Sequence, residues 1–219
     1  MKPPSTHVTR RIALAALLIL NVGGAYAQPS LAVSPPSQPS ALVSSPDAAQ
    51  AIALPELATA LRSGGYVIYF RHAATDFSKN DASMTRYADC STQRMLSAQG
   101  RTDARDMGKR IAALKLPIGQ ALASPMCRTM ESAQLILGRA TAQNDIREGA
   151  LGDYPGLKRL LTSPVANGTN RWIVGHGSPF RTVAGAPHLA EGEAAVLRPG
   201  GTQWTVVARV LPQDWAQLK

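Results

Sequence analysis

The sequence predicts an α/β fold, a single layered α/β/α domain around a mostly parallel central sheet. Two observations predict it. Short apolar runs of strand length alternate with stretches whose apolar residues recur at helical spacing. No segment repeats and no second block of this kind follows the first, so one domain is expected.

The elements follow in order. "LPELATALRSGG", residues 54–65, reads as a helix with Pro55 near its start and Gly64 and Gly65 as its stop. "YVIYF", 66–70, is a buried strand that runs into Arg71 and His72. The polar segment "DFSKNDASMTRYADC", 76–90, has no period and reads as a loop. From Leu96 to Leu114 the positions Ala104, Met107, Ile111 and Leu114 repeat helically, with Ser97 as the cap and Pro117 and Gly119 as breakers. "QALAS" at 120–124 is a short strand, "RTMESAQLILGRA" a helix from near Arg128, "NDIRE" at 144–148 an edge strand and "GLKRLLTSP" a helix. "RWIVGH" repeats the opening theme, an apolar strand ending in His176. "EAAVLRP" and "QWTVVARV" close the chain as strands around a Pro-Gly-Gly turn.

Ahead of this domain stand two segments of other character. "MKPPSTHVTRR" is basic, "IALAALLIL" is an apolar core too short to span a bilayer comfortably, and "AYA" at 25–27 is a small-x-small cleavage signature. Residues 1–27 therefore read as a signal peptide. Either the general or the twin-arginine export route is compatible with "TRRIAL". Residues 28–47 are rich in Pro and Ser and read as a flexible linker, which leaves 48–219 as the domain. A periplasmic or secreted protein is expected, with no stable membrane insertion after the signal is cleaved. Of the net charge of +9, the leader carries Lys2, Arg10 and Arg11 and no acidic residue, so about +6 remains. Arg101, Arg105 and Lys109 line up along one helix face, but Asp103 and Asp106 are interleaved with them. That is a solvated face and argues against nucleic acid as a partner. In an oxidising compartment Cys90 and Cys127 read as a disulfide, with two buried free thiols as the alternative.

Three predicted strands end in chemically useful side chains: Arg71 and His72, Arg128, and His176. In an open α/β sheet ligands gather beyond the carboxyl ends of the strands. Two guanidinium forks and two imidazoles on one sheet edge fit the oxygens of an anion such as phosphate. No C-x5-R loop, G-x-S-x-G elbow or G-x4-G-K loop is present. The histidines and cysteines form no metal-spaced cluster, so neither a metal nor a cofactor is expected.

The ordered set "RHAAT", "LSAQGRTDARDMG", "SPMCRTMESA", "EGALGDYPG" and "VGHGSPFR" resembles the histidine phosphatase superfamily, which includes the cofactor-dependent phosphoglycerate mutases. "DCSTQRMLSAQGR" is similar to a small exported branch of it. The resemblance runs from residue 66 to about 200 and implies a phosphoglycerate mutase-like fold. It further implies a phosphomonoesterase acting on a phosphorylated small molecule or an envelope component. By the same resemblance His72 is the nucleophile that forms a phosphohistidine. Arg71, Arg128 and His176 hold the phosphoryl oxygens, with His176 as an imidazolium, and Glu148 is the general acid and base. Thr75 and Arg94 are candidate substrate contacts, or else a turn hydroxyl and a surface charge. Glu191 and Glu193 are alternative acids outside the family's turn, and His188 reads as an exposed loop residue. The pattern departs from the family at Ala73, where glycine is usual, and at Pro155. A phosphate-binding module that has lost catalysis, with Ala73 as the damage, is the alternative function.

Overall fold

The structure, a computed structural model, describes residues 51–148 and 152–219. The expected signal peptide and linker lie outside these residues, as do residues 149–151 of the turn after Glu148. Among the described residues five helices and six strands alternate much as the sequence predicts. They are α1 (Leu54–Ser63), β1 (Val67–Arg71), α2 (Ala98–Ala113), β2 (Ile118–Ala123), α3 (Cys127–Leu137), β3 (Thr141–Ala142), α4 (Pro155–Thr162), β4 (Asn170–Gly175), α5 (Gly177–Ala184), β5 (Ala194–Pro199) and β6 (Trp204–Val210). The strands form one sheet in the order β3-β2-β4-β1-β5-β6. The first four of these pair in parallel, and β5 and β6 add to the edge antiparallel. Among the described residues no helix is long and apolar enough to cross a membrane.

The layering follows from side-chain alternation along β1. Ile68 and Phe70 face one way and join a core with Leu57 and Leu61 of α1, Met107 and Ile111 of α2, and Ile136 of α3. Val67 and Tyr69 face the other way, into a core with Leu157 and Leu161 of α4 and Phe180 of α5. A strand covered on both faces must be apolar throughout, which is why "VIYF" shows no alternation with polar residues. Phe70, Trp172 and Trp215 form a triangle of rings, with Phe70 6.1 and 5.7 Å from the two indoles and the indoles 6.4 Å apart. Burying each such aromatic is worth about 1.5–3 kcal/mol.

Two elements differ from the sequence reading. The stretch 144–148 is no edge strand. The edge strand is Thr141–Ala142, and Asn144–Ile146 is a single 3-10 turn. Asn144 and Asp145 favour turns over strands, and the turn drives Ile146 fully into the second core. Helix α5 begins directly after His176 in "GSPFRTVA", where the weak helix formers Gly and Ser and a proline at the third position mask the signal.

The loop after β1 is fastened to the start of α2. Ser97 caps α2 by accepting from the Gly100 amide (3.0 Å), and its own amide donates to the Ala74 carbonyl at 2.9 Å. Thr75 bridges to Leu96, and the Asp76 amide donates to the Met95 carbonyl at 3.0 Å. A side chain at Gly100 would put its Cβ 2.1 Å from the Ala74 carbonyl oxygen. In an open helix Gly→Ala stabilises by about 1 kcal/mol. Here the contact reverses the sign. Gly100→Ala is expected to lower unfolding free energy by about 1–3 kcal/mol, the usual cost of overpacking, and chemical denaturation measures it.

Candidate active site

His72 leaves the end of β1, and its amide donates to the Gly175 carbonyl at 3.0 Å. The residue is 2 % exposed, and its Nδ1 lies 2.9 Å from the carbonyl oxygen of Ala73. A carbonyl can only accept, so Nδ1 carries the proton and a neutral ring keeps its lone pair on Nε2. Burial, together with the Arg128, Arg71 and Arg94 guanidinium groups, lowers the pKa of His72 from 6.5 to about 3. The backbone bond to Ala73 opposes this shift but does not overcome it. His72 is therefore a neutral nitrogen base through the ordinary pH range.

His176 sits where β4 gives way to α5. The Tyr69 hydroxyl fixes its backbone by donating to the His176 carbonyl (2.9 Å) and accepting from the His176 amide (3.0 Å). Gly175 permits that approach, since a Cβ there would stand 2.2 Å from the Tyr69 oxygen. The His176 ring packs edge-on against His72 at 5.6 Å between centroids, and its Nε2 pairs with Ser124 Oγ at 2.9 Å. Burial pushes its pKa well below 6.5, helped by His72 and the same three arginines. The Glu148 carboxylate, 3.4 Å from Nδ1, pulls the other way. That carboxylate is more than a third exposed and already shared with Arg128, so burial prevails. The expected imidazolium at His176 is accordingly corrected to a neutral ring.

Arg128 lies in the first turn of α3 and is 2 % exposed. Its Nη1 donates to Asp81 Oδ2 at 3.0 Å and its Nη2 to Glu148 Oε2 at 3.3 Å. Arg128 Nε and His176 Nδ1 are buried with no hydrogen-bond partner. Leaving such groups unpaired costs about 1–3 kcal/mol each. Two of them beside the start of a helix are the mark of a site shaped for an anion.

Arg71 donates Nη1 to the Leu189 carbonyl at 2.9 Å and sits 3.5 Å from Glu191 Oε1. Thr75 donates both its amide (3.2 Å) and its hydroxyl (2.7 Å) to Glu191. Arg94 donates to the Thr75 hydroxyl and lies 3.6 Å from Glu191 Oε1, while its amide bonds to Asp81 Oδ1 at 2.8 Å. Its outer face is covered by the exposed ring of Phe77, 4.5 Å from the ring centroid. The structure thus brings His72, Arg71, Thr75, Arg94, Arg128, Glu148 and His176 together. Thr75 and Arg94 belong to the site and are not merely a turn hydroxyl and a surface charge. His188 is exposed, as expected.

Of the two alternative acids, Glu193 is structural. It accepts from Arg209 Nε and the Ala190 amide at 2.7 Å each. Glu191 does reach the site, on the Nδ1 side of His72 at 3.9 Å. Asp81 joins the site through Arg128 and carries no mark of this in the sequence. It stands 47 positions from Arg128 in a loop without period, and no local signal could have marked it. Ala73 does not have a positive φ, so it needs no glycine. Its methyl group is buried in the first core and its amide donates to Ser132 Oγ at 3.0 Å. Pro155 opens α4.

Cys90 and Cys127 form a disulfide. Together with the bond from the Cys127 amide to Gln93 Oε1 (2.9 Å), it staples the 76–95 segment to the turn that carries Arg128. Among the described residues no group of three or more His, Cys, Asp or Glu could hold a metal ion.

A neutral buried histidine with its reactive nitrogen free, ringed by guanidinium groups and a second histidine, defines a protein that handles a phosphate-like anion. Residues 67–178 match the model of the histidine phosphatase superfamily, branch 1, and the chain belongs to that superfamily. Its structure is similar to that of a protein from Agrobacterium tumefaciens assigned as the phosphohistidine phosphatase SixA. The TM-score is 0.50 at 17% identity, over 68% of this chain and 99% of that one. Phosphoglycerate mutase from Bacillus anthracis str. Sterne is as similar, with a TM-score of 0.50 at 13% identity over 71% and 98%. No curated protein sequence matches the chain. At these identities the two structures establish the phosphoglycerate mutase-like fold.

Both histidines stay neutral in the fold but take up a proton in the unfolded chain below about pH 6.5. Their contribution is fully present above that pH and is lost as pH falls from about 6.5 toward 3. Unfolding free energy should drop by up to about 1.4 kcal/mol per pH unit for each histidine. His72→Asn should remove one histidine's share of that slope in urea titrations. Denatured, unreduced protein should contain no free thiol. Cys90→Ser with Cys127→Ser should lower stability by about 4 kcal/mol for a loop of 37 positions.

Proposed function

We propose that the protein is an exported phosphomonoesterase working through a phosphohistidine at His72. The observation that carries the reading is the pair of buried nitrogens without partners, Arg128 Nε and His176 Nδ1, beside an imidazole whose Nε2 bears the lone pair. The Nε2 pair forms a bond to phosphorus, the bond from phosphorus to the ester oxygen breaks, and that oxygen takes its proton from Glu148. Water then attacks phosphorus, gives its proton to Glu148, and the N–P electron pair returns to Nε2. Covalent catalysis of this kind divides one difficult displacement into two. Arg71, Arg128 and His176 hold the non-bridging oxygens through both steps, which is electrostatic stabilisation by preset donors. These guanidinium groups supply the cationic charge, so the chemistry needs no metal.

Glu148 fits the acid role better than Glu191. Its carboxylate is half-exposed, accepts from Ser178 Oγ at 3.0 Å, and already touches both Arg128 and His176. A phosphate group arriving at Arg128 and His176 takes the carboxylate's place and leaves Glu148 free to turn to the departing oxygen. The leader pattern in residues 1–27 and the disulfide both fit export to an oxidising compartment. The substrate class is a phosphorylated small molecule or envelope component. The rival reading, a binding module disabled at Ala73, loses its motive because the loop takes the extra methyl without a positive φ.

The test is turnover of a nitrophenyl phosphate, with His72→Ala expected to abolish both turnover and covalent label. Label on the wild type should survive alkali and be lost in acid, as a phosphoramidate is. A positioned acid contributes about 10²–10⁴-fold when the leaving group is a poor one. Glu148→Gln should therefore cripple phosphorylation by alkyl phosphates while sparing the burst from the nitrophenyl ester. Equal slowing of both would remove Glu148 from the acid role.

A further inference from the structure

One carboxylate in the pocket has no part in the pathway above. Glu191 comes from the segment that leads into β5, and its side chain is 16% exposed. Both oxygens are fastened: Oε1 accepts from the Thr75 hydroxyl at 2.7 Å and Oε2 from the Thr75 amide at 3.2 Å. So held, Oε1 lies 3.5 Å from Arg71, 3.6 Å from Arg94 and 3.9 Å from His72 Nδ1. A fixed negative charge in a site meant for an anion weakens anion binding and calls for a compensating use. It stands on the Nδ1 edge of His72, whereas the phosphoryl group joins the ring at Nε2. It is therefore badly placed to protonate a leaving group.

We propose that Glu191 is the positioning residue that keeps the Nδ1 proton on His72 after the ring is phosphorylated. The inference rests on the phosphohistidine pathway and deepens it. When neutral His72 attacks through Nε2 it retains the Nδ1 proton, so the phosphorylated ring is formally a cation. Its neighbours oppose that charge: Arg71 from β1, Arg94 ahead of α2 and Arg128 from α3 act on the ring, while His176, from the end of β4, packs edge-on against it as a neutral ring. Three carboxylates stand nearby. Asp81 is bonded to Arg128, and Glu148 is bonded to Arg128 and faces His176. Of these, Glu191 is the carboxylate within 4 Å of a His72 ring nitrogen. An opposite charge at this range favours the charged ring. The Ala73 carbonyl takes the proton's hydrogen bond, and Glu191 offsets the charge.

Keeping the proton matters for the second step. A phosphoimidazolium releases a neutral imidazole when water attacks phosphorus. A phosphoimidazole that has lost its Nδ1 proton must instead release an imidazolide anion, a far poorer leaving group. The electron pair of the N–P bond returns to Nε2 in either case, but only the protonated ring leaves readily. Glu191 thus sets the pH up to which the phosphoenzyme is hydrolysed.

The experiment follows decay of the phosphoenzyme against pH, formed from nitrophenyl phosphate and quenched in alkali, in wild type, Glu191→Gln and Glu191→Asp. Glu191→Gln should keep its burst but lose dephosphorylation at lower pH. Its alkaline limb should move down by about one unit or more, with decay about tenfold slower above the limb. Glu191→Asp should recover part of that shift. A Glu191→Gln limb and lifetime equal to those of the wild type overturn the proposal, because a carboxylate that only ties down Thr75 would not move the limb. Should Glu191→Gln fail to fold, ¹⁵N NMR of His72 in the phosphoenzyme trapped with Glu148→Gln decides. A ring protonated at Nδ1 at pH 8 supports the role, and one titrating like a phosphohistidine peptide in water overturns it. Absence of label on wild-type His72 would refute the covalent pathway itself, whereas label with an unmoved limb refutes Glu191 alone.

Discussion

The parallel register between β1 and β4 is the constraint on which the site depends. Arg71 is opposite Gly175, and the His72 amide donates to the Gly175 carbonyl. That alignment sets the two histidines side by side as the strands leave the sheet. Both faces of β1 and β4 are covered, so a slip of one residue would force the side chains of one core into the other and part the two histidines. The two aromatic clusters on either face of β1 hold the register, so the packing that stabilises the domain also fixes the distance between its histidines. Tyr69 makes the coupling direct: its ring stacks on Phe180 at 4.7 Å, and its hydroxyl holds the His176 backbone.

Charge is arranged on that frame in alternation. Arg71, Arg94 and Arg128 are each paired with a carboxylate, from Glu191 or from Asp81 and Glu148. Removing one partner of a buried pair is strongly destabilising because it strands the other charge. The near neutrality of the cluster permits three guanidinium groups to be gathered round His72. The exposure of Glu148, against the fastening of Glu191 by Thr75, separates a carboxylate free to move from one that is not.

Much of the fold was legible because parallel strands covered on both faces must be continuously apolar, and "YVIYF" and "RWIVGH" are. The chemistry at their ends was legible because a charged or titratable residue directly after such a run stands out. The stretch 144–148 was misread because a single buried residue, Ile146, looked like part of a strand, whereas Asn144 and Asp145 prefer a turn. Helix α5 was missed because its first turn is Gly-Ser-Pro. Asp81 and the role of Glu191 depend on contacts between distant residues and leave no periodic trace. The charge state of His176 also lay out of reach, since it is set by burial rather than by residue type.

The link between Thr75 and Glu191 spans 116 positions of the chain. It joins the loop after the first strand to the approach to the fifth. Contacts of such separation are made late in folding, after loop-closure entropy has been overcome. No contiguous fragment holding only one half of the chain can contain the pocket. The anion site is thus a property of the completed topology, and any ligand that fills it stabilises the whole domain by mass action rather than one corner of it.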